Sequence, residues 1–521
     1  MSSAIIVGAG IGGLATAARL AKLGYDVTVF EKNAAPGGRT ARLDLNGYGF
    51  DSGPTLLLMP AIFAETYSSI GERMQDHLDL VRLDPTYRVH FHDGSSLDLT
   101  SDLLRMREQL EAMEPGSFAA FCAYMKEGYQ NYTLSLSRFV GRNFRSYAEY
   151  FSPANLPLLF RLKALQKHAN NVNTYFRDQR LRAAFTFQNM YLGVSPYDAP
   201  ATYSLLQYTE MGEGVWYPRG GMYKVIESFA GIAEGLGVRF HYNAPVAHID
   251  VDGNLATGVT LASGDRLPAD LVVANADLPY VYRNMLPDDG SARRLEGKKY
   301  SSSALMFYWA VGGDVDGERS PELLHHNLFL ADHLYRQSFD QIFRDLTLPD
   351  EPSFYVNAAS RSDSGVAPAG GDAIMALVPV GHINTDATNE AHPQDWPALR
   401  QRARSTVLSR LDDLGVKNIA GRITQEALLG PEEYLKDLNL AKGAAFGLSH
   451  DFVQVGYLRP HNRHSRYGNL YFVGASTHPG TGLPIVLLSA RLVAERISEE
   501  QTRPKRVSVA VPSLNTAALA K

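Results

Sequence analysis

The feature that most restricts the fold is a glycine-rich turn placed almost at the first residue. Ala4-Ile5-Ile6-Val7 is a short β-branched run, Gly8-Ala9-Gly10-Ile11-Gly12-Gly13 follows directly, and Leu14–Leu23 carries apolar residues at helical spacing up to Gly24. Tyr25–Glu31 then reads as a second strand. A strand that runs into G-x-G-x-x-G and leaves as a helix is the βαβ unit that binds a dinucleotide. Within it Gly8 permits the tight turn, Gly10 lets a pyrophosphate approach the backbone, and Gly13 lets helix and strand pack closely. The helix N-terminus offers the phosphates free N–H groups and the positive end of its dipole. Glu31 lies 21 residues past Gly10, placed to accept hydrogen bonds from a ribose diol. Lys32 beside it and Val246 at the start of a later strand belong with the same set of candidate cofactor contacts.

FAD and NAD share this fingerprint, and Pro36-Gly37-Gly38-Arg39-Thr40 favours FAD. A Gly-Gly-Arg soon after the ribose acid lets a second backbone segment wrap the pyrophosphate, Gly38 giving access and Arg39 adding charge. That arrangement resembles the two-dinucleotide-binding flavoproteins of the amine oxidase type. Asn46–Thr55 follows, and its Gly53, Pro54 and Thr55 suggest backbone close to the isoalloxazine. Near the other end, Gly474–Pro484 is a second glycine-rich turn, with Gly482 and Leu483 opening the helical pattern Ile485–Ile497. Its N–H groups and dipole suit negative charge developing on a reduced flavin. His478 in this turn is a second candidate for flavin contact.

At 521 residues, with 45% apolar and 20% charged side chains, the chain has the composition of a globular protein of two to four domains. A net charge of −5 argues against nucleic acid as a partner. Cys122 is the single cysteine, which excludes an internal disulfide and thiolate metal sites and suits a reducing, cytoplasmic compartment. No apolar run approaches the roughly 20 residues that span a bilayer, and the first residues lack the basic stretch of a signal peptide. A long helical-looking stretch, about 102–182, reads as a cap or lid. Apolar strands at Ala304–Val311, Phe354–Asn357 and Ala373–Val380 suggest a second sheet. Residues 1–75, 216–290 and 455–498 therefore read as one discontinuous FAD-binding domain. Residues 76–215 and 291–454 read as a substrate-binding and membrane-docking domain, and 499–521 as a disordered tail.

Phe187–Pro200 and the run from Tyr203 to Pro218 are not cofactor grammar. Together with the flavin motifs they make the chain, from about residue 4 to 497, resemble the phytoene desaturase family of FAD-dependent carotenoid desaturases. The resemblance implies an α/β fold: a Rossmann-like FAD-binding domain of amine-oxidase type with a discontinuous substrate domain of mixed sheet and helical lid. It implies desaturation of an acyclic C40 carotene, most simply phytoene, by hydride transfer to flavin, with oxygen or quinone as electron acceptor and a membrane surface as partner. A later-pathway desaturase, a flavin-dependent carotene isomerase and an amine oxidase are the alternatives.

A polyene offers no hydrogen-bonding handle, so its tunnel should be apolar and aromatic. Residues 118–160 supply eleven candidates: Phe118, Phe121, Tyr124, Tyr129, Tyr132, Phe139, Phe144, Tyr147, Tyr150, Phe151 and Phe160. Leu156–Leu165, with Arg161, Lys163 and the nearby Lys167, reads as a basic amphipathic segment for a lipid surface. Asp178 and Arg182, four apart and so on one helical face, are the candidate catalytic pair, in a segment that resembles the family's charged helix beside the substrate cavity. An allylic cation left by hydride loss loses a proton easily, so no strong base is required. No metal constellation is expected: His325-His326 and His461/His464 lack carboxylates at ligand spacing.

Overall fold

The computed structural model describes residues 1–313, 319–320, 322–385 and 394–502. Its first sheet grows from the glycine turn. Strand β1 (Ser3–Val7) passes through Gly8 into helix α1 (Ile11–Lys22), and β2 (Asp26–Phe30) returns parallel to β1 with Ile5 opposite Thr28. Gly13 makes that return possible, because a Cβ there would sit 2.1 Å from Gly8 O. Five parallel strands result, in the order Leu470–Phe472, Leu271–Ala274, β1, β2, Arg239–His241. All five strands fall within 1–75, 216–290 and 455–498. The carboxyl end of β1 faces a crevice at the reversal of strand order, where doubly wound sheets bind ligands.

The second sheet has seven strands, in the order Ile423–Leu429, Ser303–Val311, Asp372–Val380, Phe354–Ala358, His326–Phe329, Tyr87–His90, Ser96–Leu99. Only the pairing of His326–Phe329 with Tyr87–His90 is parallel. Every residue of Ser303–Val311 is buried, so the strand reads as a continuous apolar run. Its alternation still separates two faces. Leu305, Phe307 and Trp309 pack with Val407 and Leu411 of the helix Trp396–Asp413, whereas Ala304, Met306 and Tyr308 join the main core. Met375 on the neighbouring strand faces the same way as Met306.

The expected helical stretch is real only in its first half. Leu103–Met113 and Ser117–Ser135 are helices, a π-helical turn covers Leu136–Val140, and four short helices follow up to Ala184. Gly141, Pro153 and Pro157 interrupt what periodicity alone joined. Gly128 lets the long helix touch Ser204–Tyr208, since a Cβ would lie 2.7 Å from Ser204 O. The last helix, Leu483–Thr502, packs on α1. It continues through 499–502, which corrects the start expected for the tail, because Glu500 is tied to Tyr471 (2.7 Å), Arg463 and Arg496. Residues 503–521 lie outside the described residues. Among the described residues no helix is long and apolar enough to cross a membrane.

Candidate functional site

One cavity of about 740 Å³ begins at the glycine turn and runs onto the inner face of the seven-stranded sheet. Its first end is built of backbone. Gly37 donates from N to Ala9 O at 2.9 Å, so the Gly37-Gly38 segment lies across the mouth of the turn. No side chain caps α1, and its first turn carries no acidic residue, which leaves its N–H groups for a ligand. Asn275 stands beside Gly10 so closely that a Cβ there would meet its Nδ2 at 2.9 Å. Glu31 is fixed by N–H groups of Ala9 (2.8 Å) and Asn33 (2.9 Å) on its two oxygens, with its carboxylate at the cavity wall. This donor set suits a dinucleotide: a cradle without side chains for the pyrophosphate, a positive helix end and a fixed carboxylate for a ribose.

Of the predicted cofactor residues, Gly8, Gly10, Glu31, Lys32, Gly38, Arg39, Gly53, Pro54, Thr55, Val246, Gly474, Gly482 and Leu483 all line this cavity. Gly13 does not line it, its role being the close packing described above. Arg39 is half-buried and faces the cavity, donating to Ala445 O at 3.1 Å. Desolvation pulls its pKa down, and the nearby Asp277 pulls the other way. Asp277 is raised by burial despite accepting from Ser476 Oγ (2.5 Å) and Ala441 N (3.1 Å). Asp51 accepts from the N–H groups of Met222 (2.8 Å) and Tyr223 (3.0 Å), fixing the start of the helix Tyr223–Gly235, and burial pushes it up to about 6. Asn275, Asp277 and Arg42 line the cavity and went unrecognised in the sequence, because nothing local marks them.

The far end is a wall of side chains. Met306, Met375 and Leu377 come from the sheet, Phe339 and Ile342 from the helix Tyr335–Phe343, and Tyr87, Tyr191 and Tyr355 form a phenolic edge. Thr55 Oγ1 meets Tyr355 Oη at 2.9 Å and so joins the cofactor end to this wall. None of the eleven aromatic residues expected from 118–160 lines the cavity. Phe121 and Tyr124 turn onto Phe176 and Phe185, while Phe139, Phe144 and Tyr150 form a small core of their own.

Asp178 and Arg182 also stand away from the cavity. Asp178 is the N-cap of the helix Gln179–Ala184, accepting from Arg180 N at 2.8 Å, and its ion pair is with Arg180 at 2.7 Å. The i,i+4 expectation fails because Asp178 precedes the helix. Arg182 donates to Phe176 O at 2.8 Å and borders a separate cavity of about 290 Å³. His478 is buried with its ring nitrogens against the carbonyls of Gly456 (3.3 Å) and Arg142 (3.1 Å), a structural position outside the cavity. His325 and His326 are buried, His326 on the strand His326–Phe329 rather than in a loop. Among the described residues one possible metal-ligand group does assemble, His92, His333 and Glu351, exposed on the surface and far apart in sequence.

Residues 11–306 match the flavin containing amine oxidoreductase family. The zeta-carotene-forming phytoene desaturase of Myxococcus xanthus is 46% identical over 495 residues, covering 95% of this chain and 93% of that one. The chain belongs to the phytoene desaturase family. The phytoene desaturase of Phycomyces blakesleeanus is 45% identical over 515 residues, 97% of this chain and 87% of its own. In fold, the chain resembles a putrescine oxidase solved with putrescine bound, with a TM-score of 0.61 at 15% identity over 96% of this chain and 99% of that one. The desaturase family is thus an oxidoreductase family on a flavoprotein fold.

Proposed function

We propose that the protein binds FAD and desaturates an acyclic C40 carotene, phytoene being the simplest substrate. One observation carries the reading: one cavity joins a dinucleotide cradle to an apolar wall of Met306, Met375, Leu377, Phe339 and Ile342. Such a wall holds a polyene by shape and apolar burial. Bound flavin would supply the two-electron hydride acceptor, and oxygen or a quinone would reoxidise it. The chain's own contribution starts with positioning. Gly10, Gly37 and α1 hold the pyrophosphate, Glu31 the ribose, and the methionine face fixes which C–H bond lies against the ring system. Neither Asp178 nor Arg182 is part of this arrangement.

A carotene dissolves in lipid, so the entrance must dock on a membrane, which makes the protein a peripheral enzyme, and its single cysteine suits the cytoplasmic side. Leu156 and Phe160 of the short helix Leu156–Arg161 are exposed, as is Leu165 beyond it. Of the three basic residues, Lys163 is committed to Glu127 (2.5 Å) and Asn171 (2.7 Å) and Lys167 to Asp198 (3.0 Å to its O), leaving Arg161 for lipid headgroups. Expression in a host that accumulates phytoene tests the function: coloured polyenes that appear only with this chain support it. Unchanged phytoene beside folded, FAD-loaded protein would contradict it.

A further inference from the structure

The two stretches that set the middle of the chain apart, Phe187–Pro200 and Tyr203–Pro218, fold around a buried carboxyl group. Glu210 is fully enclosed on a π-helical turn, Thr209–Glu213, a backbone form that concentrates at functional sites. Its Oε1 lies 2.5 Å from Tyr191 Oη, and its Oε2 accepts from Gln188 Nε2 at 3.0 Å. Tyr191 Oη lies 2.7 Å from Tyr87 Oη. Both phenols line the cavity, and Glu210 lies behind them. Among the described residues no lysine, arginine or histidine forms an ion pair with it. An unpaired acid in a core is a costly group to keep charged, and these contacts do not require an acid.

We propose that Tyr87, Tyr191 and Glu210 form a proton relay, in which the cavity-facing phenols take the proton that the substrate loses and Glu210 stores it. The inference rests on the desaturase reading. In that reaction one C–H bond gives a hydride to the oxidised flavin. The neighbouring C–H bond then breaks, and its electron pair becomes the π bond of the new double bond. The proton passes to Tyr87 Oη as the Tyr87 proton moves to Tyr191 and the Tyr191 proton moves to the carboxylate. Glu210 returns it along the same chain once the cavity opens to water. Tyr191 and Tyr87 touch the substrate cavity, whereas Glu210 acts through them.

Electrostatics support where the proton rests. Burial pushes Glu210 up to about 7, against the pull of its bonds to Tyr191 and Gln188. Tyr87 and Tyr191 are raised well above 10 by burial and by the charge on Glu210, so neither phenol holds the negative charge. Other groups face the relay from the elements around it. Tyr124, from the helix Ser117–Ser135, is bonded to His168 at 2.7 Å. His326 stacks on Tyr87 at 5.1 Å, and Tyr355 lies edge-on to it at 6.1 Å. Glu213 of the same turn is held by Tyr132. Burial takes His168 down to about 4 and His326 well below its ordinary value, so both stay neutral near pH 7.

The test compares wild type, Glu210→Gln and Tyr191→Phe, each FAD-loaded, on phytoene liposomes across pH. Glutamine fits, because Gln188, which now donates to both Glu210 and Gln207, has its Oε1 buried without a partner, as is Gln207 Nε2; flipping both amides together lets Gln188 accept from the new side chain and from Gln207. Only the carboxylate accepts a proton, so wild-type turnover should rise with pH through about 7. Glu210→Gln should lose that rise and fall by about 10²–10⁴-fold at unchanged FAD content, and Tyr191→Phe should match it. Infrared titration of the protein without substrate gives a readout separate from activity: a protonated-carboxyl band that disappears near pH 7 in wild type and is absent in Glu210→Gln. Turnover within about threefold of wild type with the same pH rise would overturn the relay, as would a wild type lacking that band. Wild type inactive on phytoene would instead sink the desaturase reading, and the relay with it.

Discussion

Residues 4–55 and residues 118–160 both carried specific expectations, and they differ in how the chain encodes a site. The first stretch places Gly8, Gly10, Glu31, Lys32, Gly38, Arg39, Gly53, Pro54 and Thr55 on the cavity; the second places none of its eleven aromatic residues there. In the first, the site is made of backbone, and the need for backbone access is written locally as missing side chains. In the second, function depends on which way a ring points, and tertiary partners decide that. Phe176 and Phe185 draw in Phe121 and Tyr124, and Tyr129 is left half-exposed at 51%. A backbone-built site is therefore legible from sequence where a side-chain-built wall is not.

Substitutions can break this contrast or sharpen it. The largest effect is expected for Gly13→Val, whose Cβ would sit 2.1 Å from a backbone oxygen that cannot yield. Soluble yield and flavin absorbance should both be lost, and a folded, flavin-loaded Gly13→Val protein would break the account of the cradle. Gly10→Val meets a movable side chain instead, Asn275 Nδ2 at 2.9 Å. Its circular dichroism should stay native while flavin affinity, read by equilibrium titration, drops by at least about 100-fold, or roughly 2.7 kcal/mol.

On the other side of the comparison, Met375→Arg puts a charge on the carotene wall. Turnover should fall by about 100-fold with flavin still bound, since an unpaired buried charge excludes an apolar chain. Phe118→Ala, from the stretch that misled, should stay within about twofold of wild type in product formation. Asp178→Asn should have the smallest effect, because asparagine caps a helix as well as aspartate does, the ion pair lost with Arg180 is partly solvated and so worth about 1 kcal/mol or less, and the residue is outside the cavity. Stability read from thermal melting should fall by no more than about 1 kcal/mol. A loss of about 10⁴-fold in turnover would return Asp178 to the reaction.

Much of the fold was legible for the same reason as the cradle. The β1–α1–β2 unit, the strands at 303–311, 354–358 and 372–380, and the late return of the chain to the first sheet all follow from apolar runs bounded by glycine and proline. What stayed hidden required long-range pairing. Met306 and Met375 face the cavity only because their strands pair with Met306 opposite Leu377 and Tyr308 opposite Met375. Glu210 looks like any acid until Tyr87, 123 positions earlier, arrives on the far side of Tyr191. His92 and His333 meet in the same way, just past the ends of the paired strands Tyr87–His90 and His326–Phe329.

The central claim is that the cradle and the wall are one reaction chamber. Anaerobic stopped-flow mixing of the FAD-loaded protein with phytoene liposomes tests it most directly, by following flavin absorbance and polyene absorbance in the same trace. The account predicts that the flavin bleaches and longer-wavelength polyene bands grow with one shared rate constant, one double bond for each flavin reduced. Polyene bands that shift while the flavin stays oxidised, or phytoene left unchanged beside a flavin that other reductants bleach, would contradict it.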